Sequence, residues 1–243
     1  MKKVIITGVR RIGYEIARSL LSKGWLVGII YKTTQDPYQK LLEEFGDRVF
    51  AYRGDLGLWE DAQRCVWDLS ERMGGVDAFI HLASPYEATP LEEVKEKDVE
   101  EHFKPIAQAF LVMCKELKPI MLKNSTEIKG RIVAFGDWAT NTTPYRNYSA
   151  YFLAKGALHT AVKVMAKELA PSILVNAIAL GPTLKPPELS EEKWQEYINK
   201  TPLKRAVSLK DVVKLTEYLL EVESMTGEVL FLDSGRHVAG ECT

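Results

Sequence analysis

Tyr151 and Lys155 stand four positions apart in the run Tyr151-Phe152-Leu153-Ala154-Lys155. On a helix, residues at i and i+4 share a face, so the phenol and the ammonium point into one site. A free phenol titrates near pH ~10, and a neighbouring cation stabilises its phenolate, which makes such a tyrosine a proton donor near neutrality. Upstream lies Asp137, whose carboxylate can accept from or donate to a polar ring edge. Its alternative reading is a turn or cap residue ahead of Thr140–Thr143.

A second constellation sits near the N-terminus. The apolar run Val4-Ile5-Ile6 stops at Thr7-Gly8-Val9-Arg10-Arg11-Ile12-Gly13, and an amphipathic pattern follows. Such a turn aims backbone N–H groups and the positive end of a helix at a pyrophosphate, and Gly8 and Gly13 allow close backbone approach. Arg10 and Arg11 read either as a solvated pair or as positive charge for an anionic cofactor and an anionic or carbonyl-bearing substrate. The next apolar run ends Tyr31-Lys32-Thr33, with no acid before Asp36. A site preferring NAD places Asp or Glu there for the ribose 2′-hydroxyl. Lys32 suits a 2′-phosphate instead, so the expected cofactor is NADPH rather than NADH. Asp55-Leu56 offers a carboxylate and an apolar contact to an adenine, or else Asp55 caps a helix over Trp59–Asp68.

These groups need strands that stop where the chemistry begins. Short β-branched runs predict strands at Lys3–Ile6, Leu26–Ile30, Val49–Tyr52, Ala78–Leu82, Arg131–Phe135, Leu174–Ala179 and Glu228–Leu232. Helical spacing lies between them: Ile12, Ile16 and Leu20 recur at i, i+4, i+8, as do Leu153, Ala157, Ala161 and Met165. Leu184–Pro187 into Glu188–Lys200 reads as a loop and short helix before the last strand. The alternation predicts an α/β chain: a Rossmann-type, doubly wound, seven-stranded parallel sheet forming one domain over residues 1–243. Ligands of such sheets sit outside the carboxyl ends of the strands.

Composition narrows the function classes. A formal net charge of −1 argues against nucleic-acid or membrane-surface partners, and 46% hydrophobic residues supply a sizeable core. Cys65, Cys114 and Cys242 have no metal-ligand or redox spacing, which predicts free thiols in a reducing compartment. The apolar run after Met1-Lys2-Lys3 is too short for a signal peptide or a membrane span, so the expected location is the cytosol. His81, His102, His159 and His237 show no mutual spacing that suggests a metal or a general base.

The turn, the Tyr151/Lys155 pair and the segment Asn176-Ala177-Ile178-Ala179-Leu180-Gly181-Pro182 together resemble the short-chain dehydrogenase/reductase family over essentially the whole length. The resemblance implies Tyr151 as proton donor and Lys155 serving both Tyr151 and the nicotinamide ribose. It implies a cofactor site of Gly8, Arg10, Arg11, Ile12, Gly13, Tyr31, Lys32, Thr33, Asp55 and Leu56, continued by Ala83, Ser84, Gly181 and Thr183. It also implies a homotetramer built through the helices around Val99–Leu122 and Tyr151–Leu169. Three positions depart from the common pattern: Gly136-Asp137 stands where the catalytic Ser usually is, His81-Leu82-Ala83-Ser84-Pro85-Tyr86 replaces Asn-Ala-Gly, and Lys104-Pro105 replaces the helix Asn. With Arg11 in place of the middle glycine, the first two look like the pteridine reductases. That likeness implies a substrate site of Arg11, Ser84, Tyr86, Asp137 and Tyr151, catalysis by Asp137, Tyr151 and Lys155, and no metal.

The chemistry is coherent in its own right. A pterin is flat and carries an amidine-like edge for Asp137. Tyr86 would cover one face of the ring, a stacking contact contributing ~1 kcal/mol. The proton for a reduced C=N bond would come from Tyr151 or Asp137. An enoyl- or 3-oxoacyl-thioester reductase is the alternative, and Tyr148 with Lys155 fits the longer spacing of enoyl reductases. A carboxylate at position 137 would, however, oppose a developing oxyanion. A non-catalytic dinucleotide sensor is the third reading. Trp138 either lines the pocket or packs beside it.

Overall fold

The computed structural model describes residues 1–186 and 189–239. Cys242 and the Pro187-Glu188 portion of the predicted loop lie outside them. Seven parallel strands form one sheet: β1 Lys3–Thr7, β2 Leu26–Tyr31, β3 Val49–Arg53, β4 Ala78–His81, β5 Gly130–Asp137, β6 Ile173–Leu180 and β7 Val229–Leu232. Each agrees with the predicted run to within a residue or two. The order is β3-β2-β1-β4-β5-β6-β7, so the winding reverses between β1 and β4 and leaves a crevice there.

Alternation along each strand feeds two cores. Val4 and Ile6 of β1 pack toward α1 (Ile12–Ser22), while Ile5 faces the opposite layer. After α2 (Asp36–Phe45), that opposite layer consists of α3 (Trp59–Met73), α4 (Glu96–Phe103), α5 (Ala109–Met121) and α6 (Ser149–Leu169). Burying one aliphatic side chain contributes about 1.5–3 kcal/mol, and Ile5, Phe79, Phe110, Leu117 and Val162 are fully buried in this second core. Helices α7 (Glu191–Asn199) and α8 (Leu209–Leu219) begin on serine caps, Ser190 accepting from Lys193 N and Ser208 from Asp211 N. Among the described residues no helix is long and apolar enough to cross a membrane.

One helical stripe differs from expectation. Leu153 is 57% exposed, and the buried face of α6 runs through Tyr151, Ala154, Lys155, Leu158 and Val162. The inward face therefore carries the phenol and the ammonium, residue types that a count of apolar spacing passes over.

Between α4 and α5 the helix widens into a π turn at Lys104–Gln108. Pro105 has no N–H for the i−4 carbonyl, which favours the wider turn. His81 Nε2 meets the Ile106 carbonyl at 3.0 Å. Since a carbonyl only accepts, Nε2 carries the proton and Nδ1 accepts from Thr7 Oγ1 at 3.0 Å. Thr7 Oγ1 then accepts from Leu82 N and Ala83 N, both at 3.1 Å. Burial lowers the His81 pKa to about 4, which keeps the ring neutral in this chain of bonds. The ends of β1 and β4 are thereby tied together at the crevice.

Candidate active site

A cleft of about 660 Å³ opens at the crevice. Gly8 and Arg10 line its turn side, Tyr31, Lys32 and Thr33 its β2 side, Asp55 and Leu56 its β3 side, and Ala83 and Ser84 its β4 side. Lys104 and Pro105 of the π turn also reach it. Gly8 has φ +74, and a Cβ there would lie 2.7 Å from the Leu82 carbonyl carbon; one on Gly13 would lie 2.6 Å from Gly8 O. Only glycine keeps this cradle open, and Ile12 and Gly13 start α1 directly behind it. These features fit a nicotinamide dinucleotide: a glycine turn at a helix N-terminus, a cationic edge and an apolar floor.

Lys32 and Asp55 meet in this cleft. Lys32 Nζ lies 2.7 Å from Asp55 Oδ2, and Asp55 Oδ1 accepts from Gly57 N at 2.9 Å. Burial works to raise the Asp55 carboxyl, but the hydrogen bonds from Lys32 and Gly57 prevail and hold it below its usual range. Asp55 does not cap α3, whose first flanking residue is Leu58. Arg11 does not line the cleft. Its guanidinium crosses to the loop after β6 and donates to Lys185 O at 2.8 Å. In that loop Thr183 Oγ1 donates to Gly181 O at 3.0 Å.

Asp137, Tyr151 and Lys155 form a separate buried cluster, at 8%, 5% and 4% exposure. Asp137 ends β5, where each of its carboxylate oxygens has its own partners. Oδ1 accepts from Ala139 N at 2.8 Å, closing a turn, while Oδ2 accepts from Tyr151 Oη at 2.9 Å. Tyr145 Oη also donates to Oδ2, at 3.2 Å, and accepts from Tyr86 Oη at 3.3 Å. Burial pushes the Asp137 carboxyl up, against the Ala139 N–H, Tyr151, Lys155 and Tyr145. Lys155 Nζ donates to Phe135 O at 2.7 Å, and burial lowers its pKa to about 8.

This geometry corrects the expected phenol chemistry. Lys155 shares the face with Tyr151, with Nζ 5.7 Å from the ring centroid, yet the Tyr151 hydroxyl points to Asp137. Burial, followed by the charge of and hydrogen bond to Asp137, pushes the phenol well above its usual range instead of toward neutrality. The carboxylate in contact with the hydroxyl outweighs the ammonium across the ring.

Tyr86 is 45% exposed. Its ring stacks on Tyr148 at 4.7 Å and meets Tyr151 edge-on at 5.0 Å. Tyr148 thus covers one face of the Tyr86 ring. Trp138 is 3% exposed, packed under the Arg236 guanidinium at 5.0 Å. Gly136, one residue before Asp137, has no room for a side chain. A Cβ on Gly136 would stand 2.0 Å from His159 Nε2, and His159 Nδ1 is fixed 3.1 Å from Asn141 Nδ2. The sequence does not mark Tyr145 or the His81 chain, the latter because Thr7 and His81 meet only through the β1–β4 register. Among the described residues no group of three or more His, Cys, Asp or Glu could hold a metal ion.

A parallel sheet reversing at β1/β4, a glycine cradle at that reversal and a Tyr/Lys pair on α6 define a dinucleotide-dependent oxidoreductase. The chain belongs to the short-chain dehydrogenase/reductase family: residues 8–237 match the family model described as enoyl-(acyl carrier protein) reductase. Among its relatives, glucose 1-dehydrogenase of Gluconobacter oxydans is 26% identical over 251 residues, covering 99% of this chain and 93% of the relative. Dihydromonapterin reductase of an Enterobacter species is 28% identical over 240 residues, covering 97% and 96%. The crystal structure of FolM alternative dihydrofolate reductase 1 from Brucella canis, complexed with NADP, superposes with a TM-score of 0.89 at 28% identity, covering 99% of this chain and 96% of that one.

Proposed function

We propose that the chain is an NADPH-dependent reductase of a C=N bond in a dihydropterin or dihydrofolate-type ring. The observation that carries this reading is Asp137: a buried carboxylate at the end of β5, hydrogen-bonded to the Tyr151 hydroxyl, where an acyl carbonyl would meet repulsion. The relatives named for dihydromonapterin and dihydrofolate reduction, and the NADP of the FolM structure, support it.

In this reading the Gly8–Gly13 turn, Arg10, Tyr31, Lys32, Thr33, Asp55, Leu56, Ala83, Ser84, Gly181 and Thr183 hold the dinucleotide, and Lys155 holds its nicotinamide ribose. The cofactor supplies a hydride when bound. Asp137 orients the amidine-like edge of the ring, Tyr86 covers the ring, and Ser84 borders it. The Asp137–Tyr151 pair holds the proton for the ring nitrogen along one hydrogen bond. Lys32, paired with Asp55, turns its charge toward a 2′-phosphate.

A homotetramer through α4–α5 and α6 accompanies this reading. Phe103, Leu111, Leu122, Leu153 and Val164 are exposed apolar groups on or beside those helices. The buried free thiols of Cys65 and Cys114 suit a cytosolic setting. Thioester reduction is the second reading, favoured by the description of the family model. NADPH oxidation measured with 7,8-dihydrobiopterin, crotonyl thioester and acetoacetyl thioester separates the two. The proposal expects turnover with the pterin alone; turnover confined to a thioester would replace it. NADPH binding without oxidation by any of these, or by a quinone or imine, would favour a sensor.

A further inference from the structure

Tyr145 lies in the irregular segment between β5 and α6, where no helical or strand spacing singles it out. Its hydroxyl bridges two residues of the site, donating to Asp137 Oδ2 at 3.2 Å and accepting from Tyr86 Oη at 3.3 Å. Its ring is held edge-on by Phe152 at 4.7 Å and by Tyr148 at 5.4 Å. Packing alone asks nothing of the hydroxyl, and a phenylalanine would fill the same place.

A carboxylate has about four lone-pair positions. Ala139 N takes one on Oδ1, and Tyr151 and Tyr145 take two on Oδ2. Capacity for a substrate's donor edge remains, in an orientation fixed from both oxygens. Tyr145 extends this order outward to the half-exposed Tyr86.

We propose that Tyr145 is a positioning residue of the reductase site, bridging Asp137 to Tyr86 so that the carboxylate stays oriented toward the donor edge of a substrate ring. The inference rests on the reading that Asp137 receives the substrate, and its direct test is made without substrate. The groups facing Asp137 are Tyr151 and Lys155 from α6, Tyr145 from the preceding loop, Tyr86 from the loop after β4 and Tyr197 from α7. Burial raises the carboxyl, and the Tyr145 hydroxyl is one of the groups opposing that rise. Removing a donor from the charged form raises an acid's pKa, so Tyr145→Phe should make Asp137 easier to protonate.

The test is a carboxyl-¹³C NMR titration of the full chain in wild type and Tyr145→Phe, with Asp137→Asn assigning the signal. The expected result is a proton affinity of Asp137 at least about threefold higher in Tyr145→Phe, with a smaller rise in Tyr86→Phe. With whichever substrate the wild type reduces, KM should rise more than kcat falls, and the acid limb of kcat/KM should move to higher pH. An Asp137 midpoint in Tyr145→Phe equal to wild type overturns the proposal. Should Tyr145→Phe fail to fold, an unchanged midpoint in Tyr86→Phe overturns it. A failure to reduce pterins would leave this titration standing and count only against the substrate assignment.

Discussion

The Tyr151 hydroxyl donates to Asp137 Oδ2 at 2.9 Å, so this phenol is coupled to a buried carboxylate rather than directly to its lysine. Lys155 is engaged by the Phe135 carbonyl at 2.7 Å. The phenol is held protonated by burial and by the neighbouring carboxylate, so the proposed reduction makes proton delivery a property of the pair.

Replacing Tyr151 by Phe deletes that hydroxyl while keeping the ring in its packing. Turnover should fall by about 10²–10⁴, the usual contribution of a positioned acid, with NADPH affinity nearly unchanged. Steady-state kinetics beside a fluorescence titration of NADPH checks this. Normal turnover would remove Tyr151 from the mechanism.

Lys155 supplies the pH dependence. Its folded pKa is about 8, below the ordinary 10.5, because burial disfavours its charge. As pH rises through about 8 the ammonium is lost, so kcat/KM should decline on that alkaline limb, and Lys155→Arg should move the limb upward. For stability the sign is opposite: between about 8 and 10.5 the unfolded chain binds the extra proton, so this group's contribution improves as pH rises across that window. A pH–rate profile flat through that range would contradict the assignment.

Lys32→Asp replaces attraction for a 2′-phosphate with repulsion and sets two carboxylates side by side at the Lys32–Asp55 contact. The ratio of kcat/KM for NADPH over NADH should fall at least about tenfold, or roughly 1.4 kcal/mol. An unchanged ratio would discredit Lys32 as the phosphate contact.

Gly136→Ala should be destabilising by about 1–3 kcal/mol in a denaturant titration, because its Cβ would stand 2.0 Å from the His159 ring nitrogen. Adding His159→Ala should recover part of the loss, since neighbouring changes that share one space are not additive. Strict additivity would show that the ring is not what excludes the side chain.

Most of the architecture was legible because parallel strands buried on both faces read as continuous apolar runs, and glycines mark where backbone must approach backbone. The apolar stripe of α6 was misplaced on Leu153 because the inward face carries Tyr151 and Lys155, polar types that an apolar count passes over. The Lys32–Asp55 pair depends on β2 and β3 lying side by side, with Tyr31 opposite Arg53, a relationship no local window contains. Tyr145 was illegible for another reason: it sits in a turn-rich segment with Asn147 at φ +68, where side-chain direction follows the loop path and no period exists. The sign of the Tyr151 shift depends on which neighbour its hydroxyl meets, and sequence spacing specified only the lysine.

Replacing Asp137 by Ala and measuring NADPH-dependent reduction of 7,8-dihydrobiopterin probes the account most directly. The expected outcome is a loss in kcat/KM of about 10² or more, with NADPH affinity retained. Undiminished pterin turnover in that variant would contradict a substrate-facing carboxylate at the end of β5.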